Sequence, residues 1–467
     1  MADLWQWNAP RLSAAFAARE TSPVEVAKAL FQRIGCLDGK VNAFCLIDKE
    51  RSLEQARASE ARWMKSAPLS PLDGVPVAVK DLLLTRGWPT LRGSLSIDSR
   101  QTWNENSPAV ARLGEAGAVL LGKVTTPDHG WKGVTDSPLT GITRNPWNLG
   151  RTPGGSSGGS AAALAARFVP LALGTDGGGS IRIPASFSGV FGLKPQFGRV
   201  PAWPPSPFGT LAHVGPMSRD VEGGAMLLDL IAKPDARDWQ ALPAARHGFR
   251  EGLAKGVRGK RVAFSPTLGH ADNIEEDVAT VVAAAARRFA ELGAHVEEVD
   301  PPGGDPGPMF QTLWWSGAGF LFGQAPPEEK ALLDPGLVAI AEEGAAIPVH
   351  RYIEANVARG VYASEMRVFM EGYDLLLTPA LAVAAFDVGK VSPYDGRGSW
   401  PSWTPFSFPF NLTQQPAASV PCGYTRNGLP VGLQIVGRAF DDGSVLAAAK
   451  AYEAVDSHCD DLPPGFE

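Results

Sequence analysis

Hydrophobic and polar positions along the 467-residue chain follow two different periods. Near the N-terminus apolar residues recur three and four apart, which predicts a helix over Ala9 to Ala18. A second helix opens at Ser22-Pro23-Val24-Glu25, where Ser caps, Pro takes the first turn and Glu closes a capping box. Further on, apolar residues bunch into short runs punctuated by Gly and Pro. Pro76-Val77-Ala78-Val79-Lys80-Asp81 reads as a buried strand that stops on two charges; Ser107-Pro108 starts a helix closed by Gly114 and Gly117; Ala118 to Val124 reads as the next strand. Helical and strand patterns alternating in this way indicate a largely buried α/β sheet.

The middle of the chain is the most unusual part. Pro153-Gly154-Gly155-Ser156-Ser157-Gly158-Gly159-Ser160 leads into an Ala-rich helix to Arg167, a strand runs through Gly174, and Thr175-Asp176-Gly177-Gly178-Gly179-Ser180-Ile181-Arg182 follows. A helix of about 11 residues advances ~16 Å and a strand of about six returns ~20 Å. The two Gly/Ser loops therefore reach the same edge of the sheet. Lys260 to Pro266, Ile274 to Leu292 and Ala294 to Val299 form a predicted βαβ unit, with Pro301 to Pro308 as a loop. Met309 to Trp403 is rich in Trp, Phe, Ala and Gly and shows little periodicity apart from a strand at Asp374 to Thr378. Gly428 to Gly437 reads as a turn and a buried strand, and a closing helix lies near Gly443 to Ala454. No internal repeat or low-complexity linker interrupts the pattern, so one domain is expected over 1–467: a helical lead-in to about 65, a core over about 66–235, and a part completing sheet and pocket over about 236–467.

Composition narrows the classes. Hydrophobic residues are 44% and charged residues 20%, the balance of a soluble folded chain. Lys and Arg (43) against Asp and Glu (49) leave a net charge of −6, so no chain-wide basic surface points to nucleic acid. Cys36, Cys45, Cys422 and Cys459 are too scattered for a disulfide framework or a C-x-x-C motif, which fits a reducing cytoplasm. Residues 1–7 carry neither a basic nor an apolar leader segment, and Ala161 to Gly174 is interrupted by Arg167 and Pro170, so no membrane anchor is expected.

The Gly/Ser tract at 154–160 admits several readings: a flexible linker, a phosphate cradle, or a G-x-S-x-G nucleophile elbow. Its place between a Pro-marked turn and an Ala-rich helix argues against a linker. No P-loop or dinucleotide fingerprint is present. The elbow needs a strand running directly into the serine, whereas Asn145 to Pro153 reads as a loop, and none of the histidines sits in a distinctive setting. A fourth reading takes Lys80, Ser156 and Ser180 together. A serine hydroxyl needs a nearby base, and a lysine desolvated at a sheet edge supplies one as the neutral amine. Gly177-Gly178-Gly179 before Ser180 frees successive N–H groups to converge on one oxygen, with Ser180 expected to open a short helix. A surface lysine and a tight strand-to-helix turn are the plainer readings of the same residues.

These motifs, with Val75 to Asp81, Gly154 to Ser160, Gly174 to Arg182 and Gly428 to Gly437 in this order, resemble the amidase signature family over essentially the whole chain. The resemblance implies a single α/β domain with a central mixed sheet flanked by helices on both faces, and catalysis without metal or cofactor. It implies Lys80 as general base, Ser156 as bridging serine, usually on a cis peptide bond, and Ser180 as acylated nucleophile. The oxyanion hole would comprise the N–H groups of Gly177, Gly178, Gly179 and Ser180, with Ser157 supporting by hydrogen bonding and Asp176 and Arg182 bracing the loop as an ion pair.

Three positions depart from the family pattern: Gly177 where relatives often carry Thr, Asp128-His129-Gly130 where Glu-Phe-Gly is common, and Gln414 in place of a frequent Gly. The family holds both stand-alone amidases and the A-type component of a glutamine-dependent tRNA amidotransferase. An acid that anchors glutamine in the latter is expected shortly before Asn411-Leu412, where this chain has Thr404. Trp131, Trp314, Trp315 and Trp403, with other aromatics, either line an apolar acyl or amine pocket or pack as core, and Gln414 is expected in the same pocket. The expectation is a cytoplasmic enzyme acting on a small-molecule amide, with the amidotransferase component as the alternative and a catalytically silent binding paralogue as a third reading. A homodimer is left open, and neither nucleic acid nor membrane is expected as a partner.

Overall fold

Short apolar runs become the strands of one eleven-stranded sheet in the computed structural model, which describes residues 3–394 and 399–467. Two residues of the opening segment and four of the 309–403 stretch lie outside it. The strands are β1 (Phe44–Ile47), β2 (Pro76–Lys80), β3 (Val119–Val124), β6 (Leu171–Asp176), β7 (Phe191–Lys194), β8 (His213–Ser218), β9 (Arg261–Phe264), β10 (His295–Glu298), β11 (Leu375–Pro379), β12 (Ala417–Tyr424) and β13 (Pro430–Gly437); β4 (Asp136–Ser137) and β5 (Gly141–Ile142) form a separate small hairpin. Their order is β1-β3-β2-β6-β8-β7-β12-β13-β11-β9-β10. β3, β2 and β6 run parallel, as do β11, β9 and β10, and the middle is antiparallel. The chain is thus a single α/β domain with a mixed sheet flanked by helices. Every residue of β2, β3, β11 and β13 is buried, the mark of strands covered on both faces.

Ser22 and Glu25 form the reciprocal capping box that starts the Pro23–Val41 helix. The Ala-rich helix Gly158–Ala165 is buried on all sides, where only small side chains allow its neighbours to approach. The βαβ unit is present as β9, the helix Glu276–Glu291 and parallel β10.

The 309–403 stretch holds most of what its sequence conceals. Helices run over Gly307–Phe322, Pro335–Ala345 and Val349–Phe369, the first beginning inside the predicted 301–308 loop. The first two pack so closely that a Cβ on Gly344 would sit 1.8 Å from the Trp315 carbonyl oxygen, and one on Gly319 would sit 2.4 Å from Ala345 N. Their glycines are contact points between helices, not the chain breaks that composition suggests. This region builds a second, aromatic core, including Phe310, Trp314, Trp400 and Trp403, against the other side of the sheet. Among the described residues no helix is long and apolar enough to cross a membrane.

Candidate active site

β2 ends on Lys80, between parallel β3 and β6, at the carboxyl ends of the strands, where open α/β sheets place their ligands. Lys80 is fully buried, and its Nζ is hydrogen-bonded to Ser156 Oγ at 2.7 Å, Ser157 Oγ at 2.9 Å and Thr175 Oγ1 at 2.9 Å. Among the described residues no carboxylate oxygen lies within 4.0 Å of it. Burial therefore dominates and pushes the amine well below the usual lysine range, only partly opposed by the charge of Asp176. A neutral amine has two N–H donors and one lone pair. Ser157 gives its own proton to the Thr175 carbonyl oxygen at 3.1 Å, so Ser157 accepts from Lys80.

The two Gly/Ser loops meet as the helix-and-strand arithmetic predicts: Ser157 N–H donates to the Ser180 carbonyl oxygen at 3.1 Å. The peptide bond joining Gly155 to Ser156 is cis. Ser156 and Ser180 line one cavity, each almost completely buried, although no hydrogen bond joins their hydroxyls. Thr175 was not singled out by sequence. Its signal is its place in β6, which runs parallel to β2 with Leu173 beside Val79.

Asp176 organises the loop after β6. Its carboxylate meets Arg182 Nη2 and Nε at 3.0 Å, accepts from Asn411 Nδ2 at 2.9 Å, and accepts from the N–H of Gly179 at 2.8 Å and of Ile181 at 3.1 Å. Burial alone would raise its pKa; the charge and hydrogen bonds of Arg182, with Asn411 and Lys194, outweigh it and hold the group below the ordinary carboxylate range. Arg182 is fully buried and also donates to the Ser407 carbonyl, Gln434 Oε1 and Asn411 Oδ1. One correction follows for the oxyanion set: the Gly179 N–H is committed to Asp176. The N–H groups of Gly177, Gly178 and Ser180 have no hydrogen-bond partner among the described residues. The short helix also begins at Arg182, two residues beyond Ser180.

The glycines of this loop answer to their neighbours. A Cβ on Gly177 would lie 2.7 Å from Trp314 Cζ3, one on Gly178 2.6 Å from Trp400 Cη2, and Gly179 has φ +127°. Gly177, the departure from the family pattern, leaves room for the indole of Trp314.

The cavity, about 1000 Å³ with its open mouth, takes in Ser156, Thr175, Gly177 and Ser180 and is walled by Leu82, Leu83, Trp203, Phe208, Trp314 and Leu321. Of the five expected pocket residues only Trp314 lines it. Trp403 stacks on Phe187 with centroids 5.8 Å apart, Trp315 donates to Glu343 Oε2 at 2.8 Å, Trp131 is buried against Gly336, and Gln414 Nε2 reaches the Thr210 carbonyl at 3.5 Å. Trp131, Trp315 and Trp403 lie outside the cavity because they pack into the aromatic core, and Gln414 because it turns to Thr210. Of the other departures, His129 lines the cavity, and burial next to Arg92 lowers its pKa to about 4, so it is neutral at neutral pH. Among the described residues no cluster of His, Cys, Asp or Glu is arranged to hold a metal.

The chain belongs to the amidase family, whose pattern it matches over residues 25–446, and is an enzyme acting on amide C–N bonds. It is similar to an acylamidase of Rhodococcus erythropolis, 36% identical over 465 residues that cover 98% of this chain and 97% of the relative. The A-type component of the glutamyl-tRNA(Gln) amidotransferase of Myxococcus xanthus is also 36% identical, covering 95% of this chain and 96% of the relative. Among solved structures, a bacterial aryl acylamidase of the amidase signature enzymes superposes with a TM-score of 0.91 at 31% identity over 98% of both chains.

Proposed function

We propose that the chain is a stand-alone amidase that hydrolyses small aryl or apolar carboxamides through an acyl-enzyme on Ser180. The observation that carries this reading is Lys80: a fully buried amine held by three hydroxyls and no carboxylate, one of those hydroxyls on Ser156 in the cavity that Ser180 also lines. With Ser157 accepting from Lys80, the lone pair of Nζ is open to the Ser156 proton. Lys80 takes that proton as Ser156 takes one from Ser180, and Ser180 Oγ attacks the amide carbonyl carbon. The carbonyl electron pair moves to oxygen, where the N–H groups of Gly177, Gly178 and Ser180 hold it, each contributing about 3 kcal/mol to the transition state. The tetrahedral intermediate collapses by breaking the C–N bond, and the relay returns the proton to the departing amine. Water then enters, loses its proton to the same relay and frees the carboxylic acid. No metal or cofactor is required, and four free cysteines suit a reducing cytoplasm.

The similarity to the A-type amidotransferase component supports a second reading, in which the same chemistry releases ammonia from glutamine within a complex. Thr404, fully buried and donating to the Pro401 carbonyl at 3.3 Å, brings no acid to the position where that component needs one, which favours the free enzyme. Incubation of the purified chain with aryl, aliphatic and amino-acid amides, with released amine or ammonia measured for wild type and Ser180→Ala, separates the two. Ser180-dependent turnover of apolar amides is expected. Turnover of glutamine alone, or none without a partner protein, would replace this reading with the second.

A further inference from the structure

One end of the cavity carries a charge that the mechanism does not use. Arg92 lines the same wall as Leu82, Leu83 and His129, and among the described residues its guanidinium forms no hydrogen bond and has no carboxylate oxygen within 4.0 Å. The charge that opposes its burial is that of Asp81, which is already paired with Lys123 Nζ at 3.2 Å. A guanidinium stays protonated in proteins, and its five donors fit a carboxylate in a fixed fork. Half-buried beside the cavity, these donors are committed to no protein group among the described residues.

Neighbouring groups repeat the pattern. Ser107 Oγ and His129 Nε2 are buried without hydrogen-bond partners, and both residues line this cavity. Arg92 and His129 are tied backbone to backbone, His129 N–H donating to the Arg92 carbonyl at 2.8 Å, and both adopt left-handed conformations, φ 55° and 49°. Left-handed backbone is uncommon outside glycine and tends to cluster at ligand clamps. Because His129 is neutral, Arg92 supplies the positive charge of this wall. The remaining wall is largely leucine, proline, phenylalanine and tryptophan.

We infer that Arg92, assisted by Ser107 and His129, is a specificity-determining anchor for a carboxylate on the substrate, so that the enzyme prefers amides with an apolar or aryl body and a carboxylate remote from the scissile bond. This inference rests on the amidase reading and names its substrate class. Hydrolysis is unchanged in its chemistry: the anchor holds a group that takes no part in bond making or breaking.

Matched pairs test it: 4-acetamidobenzoate against acetanilide places the carboxylate on the amine side, and succinanilate against butyranilide places it on the acyl side. Wild type is expected to show kcat/KM at least about tenfold higher for the charged member of one pair, the range of a charge-assisted hydrogen bond. Arg92→Ala should collapse that ratio towards one, Arg92→Lys should keep part of it, and Arg92→Glu should favour a 4-aminomethyl acetanilide instead. Equal turnover of charged and neutral members by wild type, or a ratio that survives Arg92→Ala, overturns the anchor while leaving the amidase reading standing. Absence of Ser180-dependent turnover on every pair overturns the amidase reading. Calorimetric titration of Ser180→Ala and Ser180→Ala/Arg92→Ala with 4-acetamidobenzoate and succinanilate then tests the anchor by itself: binding of either that is lost with Arg92 supports it, and binding that persists, or none to Ser180→Ala, overturns it.

Discussion

Two fully buried lysines sit on neighbouring strands of the same sheet and have been given opposite surroundings. Lys80, at the end of β2, meets three hydroxyls. Lys123, in β3 and paired in register with Val79, meets the Asp81 carboxylate at 3.2 Å, the Leu83 carbonyl at 2.9 Å and Thr90 Oγ1 at 2.8 Å. Burial lowers both, but at Lys123 the charge and hydrogen bond of Asp81 offset much of the cost. Burial alone therefore does not decide the state of an amine; without a countercharge beside it Lys80 is held further toward the neutral form than Lys123. Hydroxyls satisfy an amine's hydrogen bonds without rewarding its positive charge, and they are the atoms from which a proton can be taken.

Removing the two lysines should break the molecule in different ways. Lys80→Met is expected to lower kcat/KM by about a thousandfold, within the range of general-base loss, with Ser180→Ala at least as low, as read by steady-state amide hydrolysis. Lys123→Met should instead cost ~3 kcal/mol of stability in urea unfolding, because it strands a buried carboxylate, while turnover per folded molecule stays within severalfold of wild type. A Lys80→Met protein that loses both stability and activity to the extent of Lys123→Met would erase the distinction.

The pH profile sharpens it. In the proposed mechanism the neutral amine is the active form, so kcat/KM should rise by up to tenfold per pH unit as Lys80 loses its proton, then level off above its lowered pKa. Stability should also rise with pH, but over a higher window: between the lowered folded-state pKa and the ordinary lysine pKa the unfolded chain binds a proton that the folded chain does not, so stability falls on acidification across that window and levels off below the folded-state pKa. Lys123→Met should retain the rising limb. His129, with its pKa lowered to about 4, is already neutral near neutral pH, and His129→Phe should leave the limb in place.

The smallest expected effect concerns Gly177, in the loop that carries the proposed nucleophile Ser180. Gly177→Ala should reduce kcat about tenfold, since a lost or displaced oxyanion donor costs at least that much, and Trp314→Ala in the same chain should recover part of the loss by vacating the space the new methyl enters. No recovery would mean that the loop, not the indole, sets the limit.

Much of this site can be read from sequence because its motifs are answers to local geometry. The β2 run ending on Lys80 and the two Gly/Ser loops are short-range patterns whose meeting follows from helix rise and strand length, and β2, β3, β11 and β13 are predominantly apolar runs buried throughout. What escaped reading depends on distant partners. Gly319 and Gly344 resemble chain breaks until the facing helix is known. Trp131, Trp315 and Trp403 have the composition of a pocket and the environment of a core. Gly179 belongs to a run of three identical residues, and only the position of Asp176 separates its committed N–H from the others. β7 and β8 mix His, Lys, Gly and Pro into short runs that lack a strand's alternation, yet they pair at the centre of the sheet.

The network around Arg182 also sets an order of events. Its guanidinium is satisfied by Asn411 and Gln434, 229 and 252 residues further along the chain, and neither is available until almost the whole polypeptide has left the ribosome. Before then the loop that presents Ser180 lacks the contacts that hold Asp176 and Arg182 together in a dry interior, and contacts of such sequence separation are the slow ones to form. On the proposed mechanism a truncated or half-synthesised chain would carry Ser180 without the frame that aims it, and hydrolytic competence would arrive with the last strands of the sheet.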